Sequence, residues 1–570
     1  MLSTEWSTSA ARHRAVRERG PRIPLSDGQW LDCEVVRPDA PGRWPVLLGV
    51  HAYPMEDQFR DWMPEGMTHR RGHMEAGDTA FFARRGYVHV VANIRGTGES
   101  GGFFGNLDAR SILDVAQAVE WLAARPWSNG RVGMLGVSYF SIVSQRVAAL
   151  APPALRAIWA PFGWTDAYRD RYYHGGILSW GFMRGWLRTV DRMRPDPRDA
   201  EALASAESRE RIRDALADPE IAAVPFLCEA LQRPHEGANA LIARMLLERF
   251  DGPYWHERSV DYSAGIQVPA VLGGCWGTYG LHLPGAFRSW ARWQGPKRMI
   301  VGPPVYLDRP VYQYQYDQLR WFDLWLKDVD TRVLDEPRVQ LSLDGTGDWR
   351  DGDAWPLPQT RFTPFHLHGG GLLCEHDPFA GSSESSFEDG PQAGGALTFA
   401  TPPLVEITEL CGPVALTLYA ATDDDEVLWF ASLLHVDASG RERLLTRGWL
   451  RGSQRRLDED ASRPWAPAHR HVAREPVPRG EVVRYELEMR PYAIRLMPGE
   501  RLALRLRCRD DERPGTDLEW IGQGHLWRPT PARLLVRHCP EHPSSLLLPI
   551  VRGNRIGTFV SGGRPGLSMT

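Results

Sequence analysis

One serine in this chain has a setting suited to nucleophilic chemistry. The stretch Arg131-Val-Gly-Met-Leu-Gly-Val-Ser138-Tyr-Phe-Ser reads as a buried strand, a sharp turn, and a helix running to about Leu150. A turn of that kind pushes a serine hydroxyl out at the top of a sheet. Gly136 allows a backbone approach that a side chain would block. A serine hydroxyl is a weak nucleophile until a base takes its proton. The histidines considered for that task are His282, His51 and His174, and for each of them taken singly a structural role is the commoner one. Two other motifs carry no chemistry. Gly96-Thr-Gly-Glu-Ser-Gly101 matches G-x-G-x-x-G after a strand, but that strand is not the first and Gly102-Phe-Phe-Gly105 continues as loop, so no nucleotide is expected. Asp423-Asp-Asp-Glu426 lacks the spacing of a calcium loop and reads as a solvated turn.

The elements around Ser138 separate into three regions. Trp44–Val50, Tyr87–Asn93, Val132–Leu135, Ala157–Trp159, Ala270–Gly273 and Met299–Val301 are strand candidates, and Ser111–Ala124 has apolar residues at helical spacing. Strands alternating with helices imply a mostly parallel sheet covered on both faces, here over residues 1–162 and 251–335. Residues 163–250 have little strand signal, carry Arg, Ala, Leu and Trp at helical spacing, and read as a helical cap. Residues 336–570 hold many short strands, among them Thr363–His368, Val414–Ala420, Val427–Val436 and Arg501–Arg507, punctuated by Gly, Pro and Asp. That pattern implies an all-β, jelly-roll-like sandwich, with the Gly/Ser-rich Ala380–Gly395 as a surface loop.

Composition bounds the answer. At 570 residues the chain is too long for one core. A net charge of −4 implies no field that would attract nucleic acid. The 23 tryptophans fit either a large core or an aromatic cleft. Seven scattered cysteines with no C-x-x-C pair argue for a reduced, cytoplasmic protein without a zinc site. The polar Met1–Gly20 does not read as a signal peptide, and no stretch is apolar enough to span a membrane.

Several tracts together resemble the cocaine-esterase and X-Pro dipeptidyl-peptidase (CocE/NonD) family of serine hydrolases, over about residues 23–548. They are Pro24-Leu-Ser-Asp-Gly-Gln-Trp-Leu31, Arg95-Gly-Thr-Gly-Glu-Ser-Gly101, Gly133-Met-Leu-Gly-Val-Ser-Tyr139, Gly175-Gly-Ile-Leu-Ser179 and Ile407-Thr-Glu-Leu-Cys-Gly-Pro-Val414. The resemblance implies an α/β fold: an α/β-hydrolase domain with a helical cap insertion plus the C-terminal all-β domain. It implies a nucleophile at Ser138, an oxyanion-hole N–H from Tyr139, and a second oxyanion donor in the Tyr53 hydroxyl. Donors aimed at a developing alkoxide are a large share of acyl-transfer catalysis. The family's acid and histidine positions fall on Thr278 and Tyr306, so the triad is degenerate, and Ser141 stands where the family has a glycine. His282, four residues after Thr278, is the first candidate for a displaced base, and Asp166 for a displaced acid, unless it simply caps a helix. Trp186, Trp180, Tyr173, Trp276 and His51 are the expected pocket wall.

Three functions are consistent with this reading. The first is hydrolysis of an ester or amide of a small, fairly apolar molecule at a non-standard site. The second is non-hydrolytic tailoring of a secondary metabolite, with Ser138, Tyr53 and Tyr306 as hydroxyl donors. The third is a catalytically dead binding protein. No cofactor or metal is expected, the partner is a small molecule and neither nucleic acid nor membrane, and a homo-oligomer stays open.

Overall fold

The computed structural model describes residues 7–59, 75–303, 315–379, 381, 383–390, 394–510 and 524–554. Ten strands form the first sheet: β1 (Ala15–Arg19), β2 (Cys33–Pro38), β3 (Trp44–His51), β4 (Val88–Asn93), β5 (Ser128–Leu135), β6 (Leu155–Trp159), β7 (Ala270–Cys275), β8 (Lys297–Gly302), β9 (Val339–Ser342) and β10 (Trp349–Gly352). Their spatial order is β1-β2-β4-β3-β5-β6-β7-β8-β9-β10. The run from β4 to β9 is parallel, and β1, β2 and β10 are antiparallel at the edges. The central strands are continuous apolar runs because both faces are covered. One face packs against Ala109–Ala123 and Tyr139–Ala149; the other holds Phe82, Trp159, Trp321 and Phe322 in a second cluster. This is the α/β-hydrolase architecture. The sheet does not stop at residue 335: β9 and β10 lie beyond that boundary, β9 being added in parallel to β8.

The insertion after β6 opens with a π-helical turn, Ala167–Tyr172, and a two-residue hairpin, Tyr173–His174 with Ile177–Leu178. Helices follow at Gly181–Trp186, Pro197–Leu203, Ala206–Ala217, Pro225–Gln232 and Asn239–Leu247, with Asp196 and Ser205 accepting N-cap bonds at the second and third.

The C-terminal region is all β. Thr408–Thr422 pairs antiparallel with Val483–Leu496, and Ser545–Arg552 pairs both with Thr408–Thr422 and with Arg361–His368, so the strand path closes on itself. Closure removes the free edges of the strands within that ring, leaving one branch outside it. Two expectations are corrected here. Within Ala380–Gly395, Glu384–Asp389 is an edge strand paired with Ala532–Cys539; Glu384, Ser386 and Glu388 face solvent, so its composition looks like loop while Phe387 anchors it. The acidic tract 423–426 is not simply solvated: Glu426 is buried and accepts from Ser453 and, at 3.2 Å, from Arg451, which also reaches Glu220 of the insertion. Opposite charges thus clamp the insertion onto the β domain. All seven cysteines are free. Among the described residues no helix is long and apolar enough to cross a membrane.

Candidate active site

Strand β5 ends in the expected sharp turn. Gly136 has φ +133°, and a Cβ there would lie 2.5 Å from Phe140 Cβ and 3.0 Å from the Glu75 carbonyl. Val137 donates its N–H to that carbonyl at 2.8 Å. Ser138 follows at φ 55°, ψ −122°, a conformation a non-glycine residue holds only when its surroundings over-determine it. The helix starts at Tyr139, and Ile142 donates its N–H to the Ser138 carbonyl at 3.0 Å. The first N–H groups of a helix have no intrahelical acceptor, which leaves that of Tyr139 for a ligand. Ser141 fits where a glycine was expected because its hydroxyl donates to the Ala160 carbonyl at 2.7 Å.

Tyr53 lies just past β3, held from two sides. Its N–H donates to His51 Nδ1 at 3.1 Å and its carbonyl accepts from Asn93 Nδ2 at 2.8 Å. Its hydroxyl accepts from Trp186 Nε1 at 3.2 Å, and Ser138 is near enough to influence its ionisation. Burial first, and the Glu75 charge second, push the phenol well above its ordinary pKa, so Tyr53 stays protonated and remains a donor. Trp186 stacks on Tyr139 with ring centroids 6.0 Å apart, and Tyr139 meets Tyr53 edge-on at 6.2 Å. Ser138, Tyr53, Tyr139 and Trp186 are therefore brought together.

The other expected residues go elsewhere. Thr278 is fully buried in the turn after β7, and its hydroxyl donates to the Cys275 carbonyl at 3.0 Å, so it is committed to the turn. His282 is buried against Phe162 at the entry of Leu283–Arg292, and no hydrogen bond among the described residues joins it to Ser138. Burial, and next the charge of Arg171, lower its pKa to about 3. His51 is fully buried under the elbow, stacked on Phe140 at 5.1 Å, and lowered to about 3 by burial; it positions Tyr53 and is not surface of the pocket. Trp276 is core, its Nε1 donating to the Ser342 carbonyl at 2.7 Å. Tyr173 is core of the insertion, bonded to the Met245 carbonyl at 3.1 Å and stacked on Tyr168 at 4.9 Å. Trp180 precedes Gly181–Trp186 and packs toward Phe226 at 6.4 Å. Asp166 caps the π-helical turn by accepting from the Arg169 N–H at 2.8 Å. His174 is bound to His525 at 2.8 Å, and burial first, with the His525 charge next, lowers its pKa well below the usual histidine value. Tyr306 lies outside the described residues.

Glu75 is the residue that sequence reasoning missed. It is 6% exposed, its Oε2 has no hydrogen-bond partner, and burial raises its pKa to about 8. Its backbone supports the elbow while its side-chain charge acts on Tyr53. The tract around it has no periodicity or motif that would have singled it out. Among the described residues no group of three or more His, Cys, Asp or Glu side chains could hold a metal ion.

Comparison with known proteins agrees with the fold. A model of the X-Pro dipeptidyl-peptidase (S15) family matches residues 27–305, and one of the X-Pro dipeptidyl-peptidase C-terminal non-catalytic domain matches residues 331–519. Cocaine esterase of Rhodococcus sp. is 25% identical over 93% of this chain and 98% of its own length. A putative serine esterase of Mycobacterium bovis is 25% identical over 88% of this chain and 91% of its own. A CocE/NonD family hydrolase of Staphylococcus aureus has a TM-score of 0.78 at 23% identity, covering 94% of each chain. An α-amino acid ester hydrolase has a TM-score of 0.73 at 18% identity, covering 96% of this chain and 99% of that one. At these identities the structural likeness carries the fold.

Proposed function

The chain belongs to the cocaine-esterase and X-Pro dipeptidyl-peptidase family of hydrolases, and we propose that it cleaves an ester or amide of a small, largely apolar molecule through Ser138, with a proton acceptor other than the family's histidine. One observation carries this reading: Ser138 sits at positive φ at the start of a helix, beside a Tyr53 whose hydroxyl Trp186 holds in place and which burial keeps protonated. Tyr53 Oη and the Tyr139 N–H would bind the oxyanion as Ser138 attacks the carbonyl. The acid whose charge reaches Tyr53 is Glu75, and in its ionised form it is the candidate acceptor for the Ser138 proton. Histidines lowered to about 3 are weak bases, which disfavours His282 and His51.

The test is labelling with a fluorophosphonate, which reports an activated serine whatever the natural substrate. Wild type is expected to label and Ser138→Ala not to. Absence of labelling in well-folded wild type would overturn the hydrolytic reading. It would leave the second one, in which Ser138 and Tyr53 act only as hydroxyl donors to a carbonyl; a Tyr53 that burial keeps protonated and Trp186 holds in place favours it.

A further inference from the structure

Eight arginines are buried among the described residues. Seven have a carboxylate or a backbone carbonyl: Arg298 and Arg320 share Glu336, Arg490 reaches Glu488 at 2.9 Å, and Arg146 takes two carbonyls. Arg171 is the exception. It is 5% exposed, and its Nε and Nη2 meet no acceptor. Aromatic rings cover its flat faces, with its Cζ 4.4 Å from the Trp186 ring centroid and 4.5 Å from that of Tyr172. Cation–π contact compensates a guanidinium through its faces. It does nothing for the N–H groups in the plane, and a charge enclosed without acceptors is costly.

The local sequence fixes this orientation. Arg171 belongs to the π-helical turn, a rare form that recurs at functional sites. Its neighbours are tied away from it. Asp170 accepts from the N–H groups of Thr165 and Asp166, both at 3.0 Å, and from Arg288 Nε at 2.7 Å, while Arg169 pairs with Asp166 and Asp251. The carboxylate adjacent in sequence is therefore taken. Trp186, whose ring Arg171 faces, donates its Nε1 to the Tyr53 hydroxyl at 3.2 Å, so one side chain separates Arg171 from Tyr53 at the elbow.

We propose that Arg171 anchors a carboxylate on the substrate, so that the molecule held at Ser138 is an ester or amide that also carries a carboxylate group, its apolar body lying along Trp186. A planar fork of N–H donors without an acceptor matches a carboxylate in geometry and charge. Glu75 does not oppose an anion at neutral pH, because burial keeps it protonated up to about 8. The inference rests on the Ser138 reading for the site's location, and its test is independent of turnover.

Benzoate, phenylacetate and 3-phenylpropionate, each beside its primary amide, would be titrated calorimetrically into wild type, Ser138→Ala, Arg171→Lys and Arg171→Met, and used as competitors of fluorophosphonate labelling. Wild type and Ser138→Ala should bind at least one carboxylate about tenfold or more tightly than its amide. Arg171→Met should bring the pair to within about twofold, and Arg171→Lys should fall between them. If labelling fails but the preference holds in Ser138→Ala, the anion site stands and the nucleophile reading falls. Wild type that prefers no carboxylate, or that binds inorganic phosphate as well as any aryl carboxylate, overturns the proposal even if Arg171→Met does not fold. A preference that survives in folded Arg171→Met also overturns it.

Discussion

The two rims of the site, the elbow after β5 and the turn after β7, have different fates. At the elbow, features costly to stability persist: Ser138 at φ 55°, Gly136 at φ +133° against Phe140, and a buried Glu75 carboxyl with a free oxygen. The β7 end holds a backbone constraint too, at Gly273 with φ +150°, but its side chains are otherwise committed: the Thr278 hydroxyl serves the Cys275 carbonyl, and burial and then the Arg171 charge lower the His282 pKa to about 3. Strain and unpaired polar groups survive where the surroundings enforce them, and they cluster where chemistry occurs. The difference fits the proposal that the chemistry is carried at the elbow, by Ser138 with Tyr53, Trp186 and Glu75 around it.

The sharpest break of that comparison is at its glycines. Gly136→Val would force a side chain into Phe140 and the Glu75 carbonyl at positive φ, with an expected cost of about 3 kcal/mol or more and loss of Ser138 labelling. At Gly274, on the other rim, an added Cβ meets nothing nearer than 3.9 Å, so Gly274→Ala should leave melting temperature and labelling close to wild type. Equal effects at the two positions would end the claim that the rims differ. Tyr53→Phe comes next. Loss of one oxyanion donor costs about 10²- to 10³-fold in rate, and labelling kinetics should show it with little change in stability.

Glu75 sharpens the comparison through pH. Its folded pKa of about 8 lies above the ordinary carboxyl value, so the folded chain keeps a proton that the unfolded chain has released. Stability from this group is full below the ordinary value of 4.5 and is lost as pH rises toward about 8, at about 1.4 kcal/mol per unit for one proton. Glu75→Gln should remove that slope from the melting profile. If Glu75 is the proton acceptor, wild-type labelling should also rise through about pH 8, and the variant should lose that limb and fall about tenfold or more. A rising limb that is unchanged in the variant would assign the base elsewhere.

The fold was legible because each central strand is a continuous apolar run, and such runs arise only where both sheet faces are covered. Val46–Val50 and Val132–Leu135 could hardly be anything else. The elbow was legible because its constraint is local, a glycine two residues before a serine at a strand–helix turn. Glu75 and Arg171 were not, because their importance is an absence. One lacks a partner for its carboxyl oxygen, the other for two of its nitrogens, and unpaired groups leave no trace in composition or spacing. The wall residues divided for a related reason. Helical or strand spacing marks Tyr173, Trp276 and Trp186 alike as buried, but only Trp186 donates to the Tyr53 hydroxyl, while the other two donate to backbone carbonyls.

The smallest effect is expected at Thr278, and it decides whether the β7 rim retains any part in the chemistry. Thr278→Val keeps the shape and deletes a hydroxyl that donates to the Cys275 carbonyl at 3.0 Å in a fully buried turn. Loss of one such bond costs about 1–2 kcal/mol, so the melting temperature should drop measurably. Because that hydroxyl points into the turn, labelling of Ser138 should stay within about twofold of wild type. Thr278→Asp, which restores the family's residue type, should not raise labelling either, since the nearby imidazole is enclosed and held neutral. A rise with Asp would mean that a base on this rim can still reach Ser138, and that the chemistry is not carried at the elbow alone.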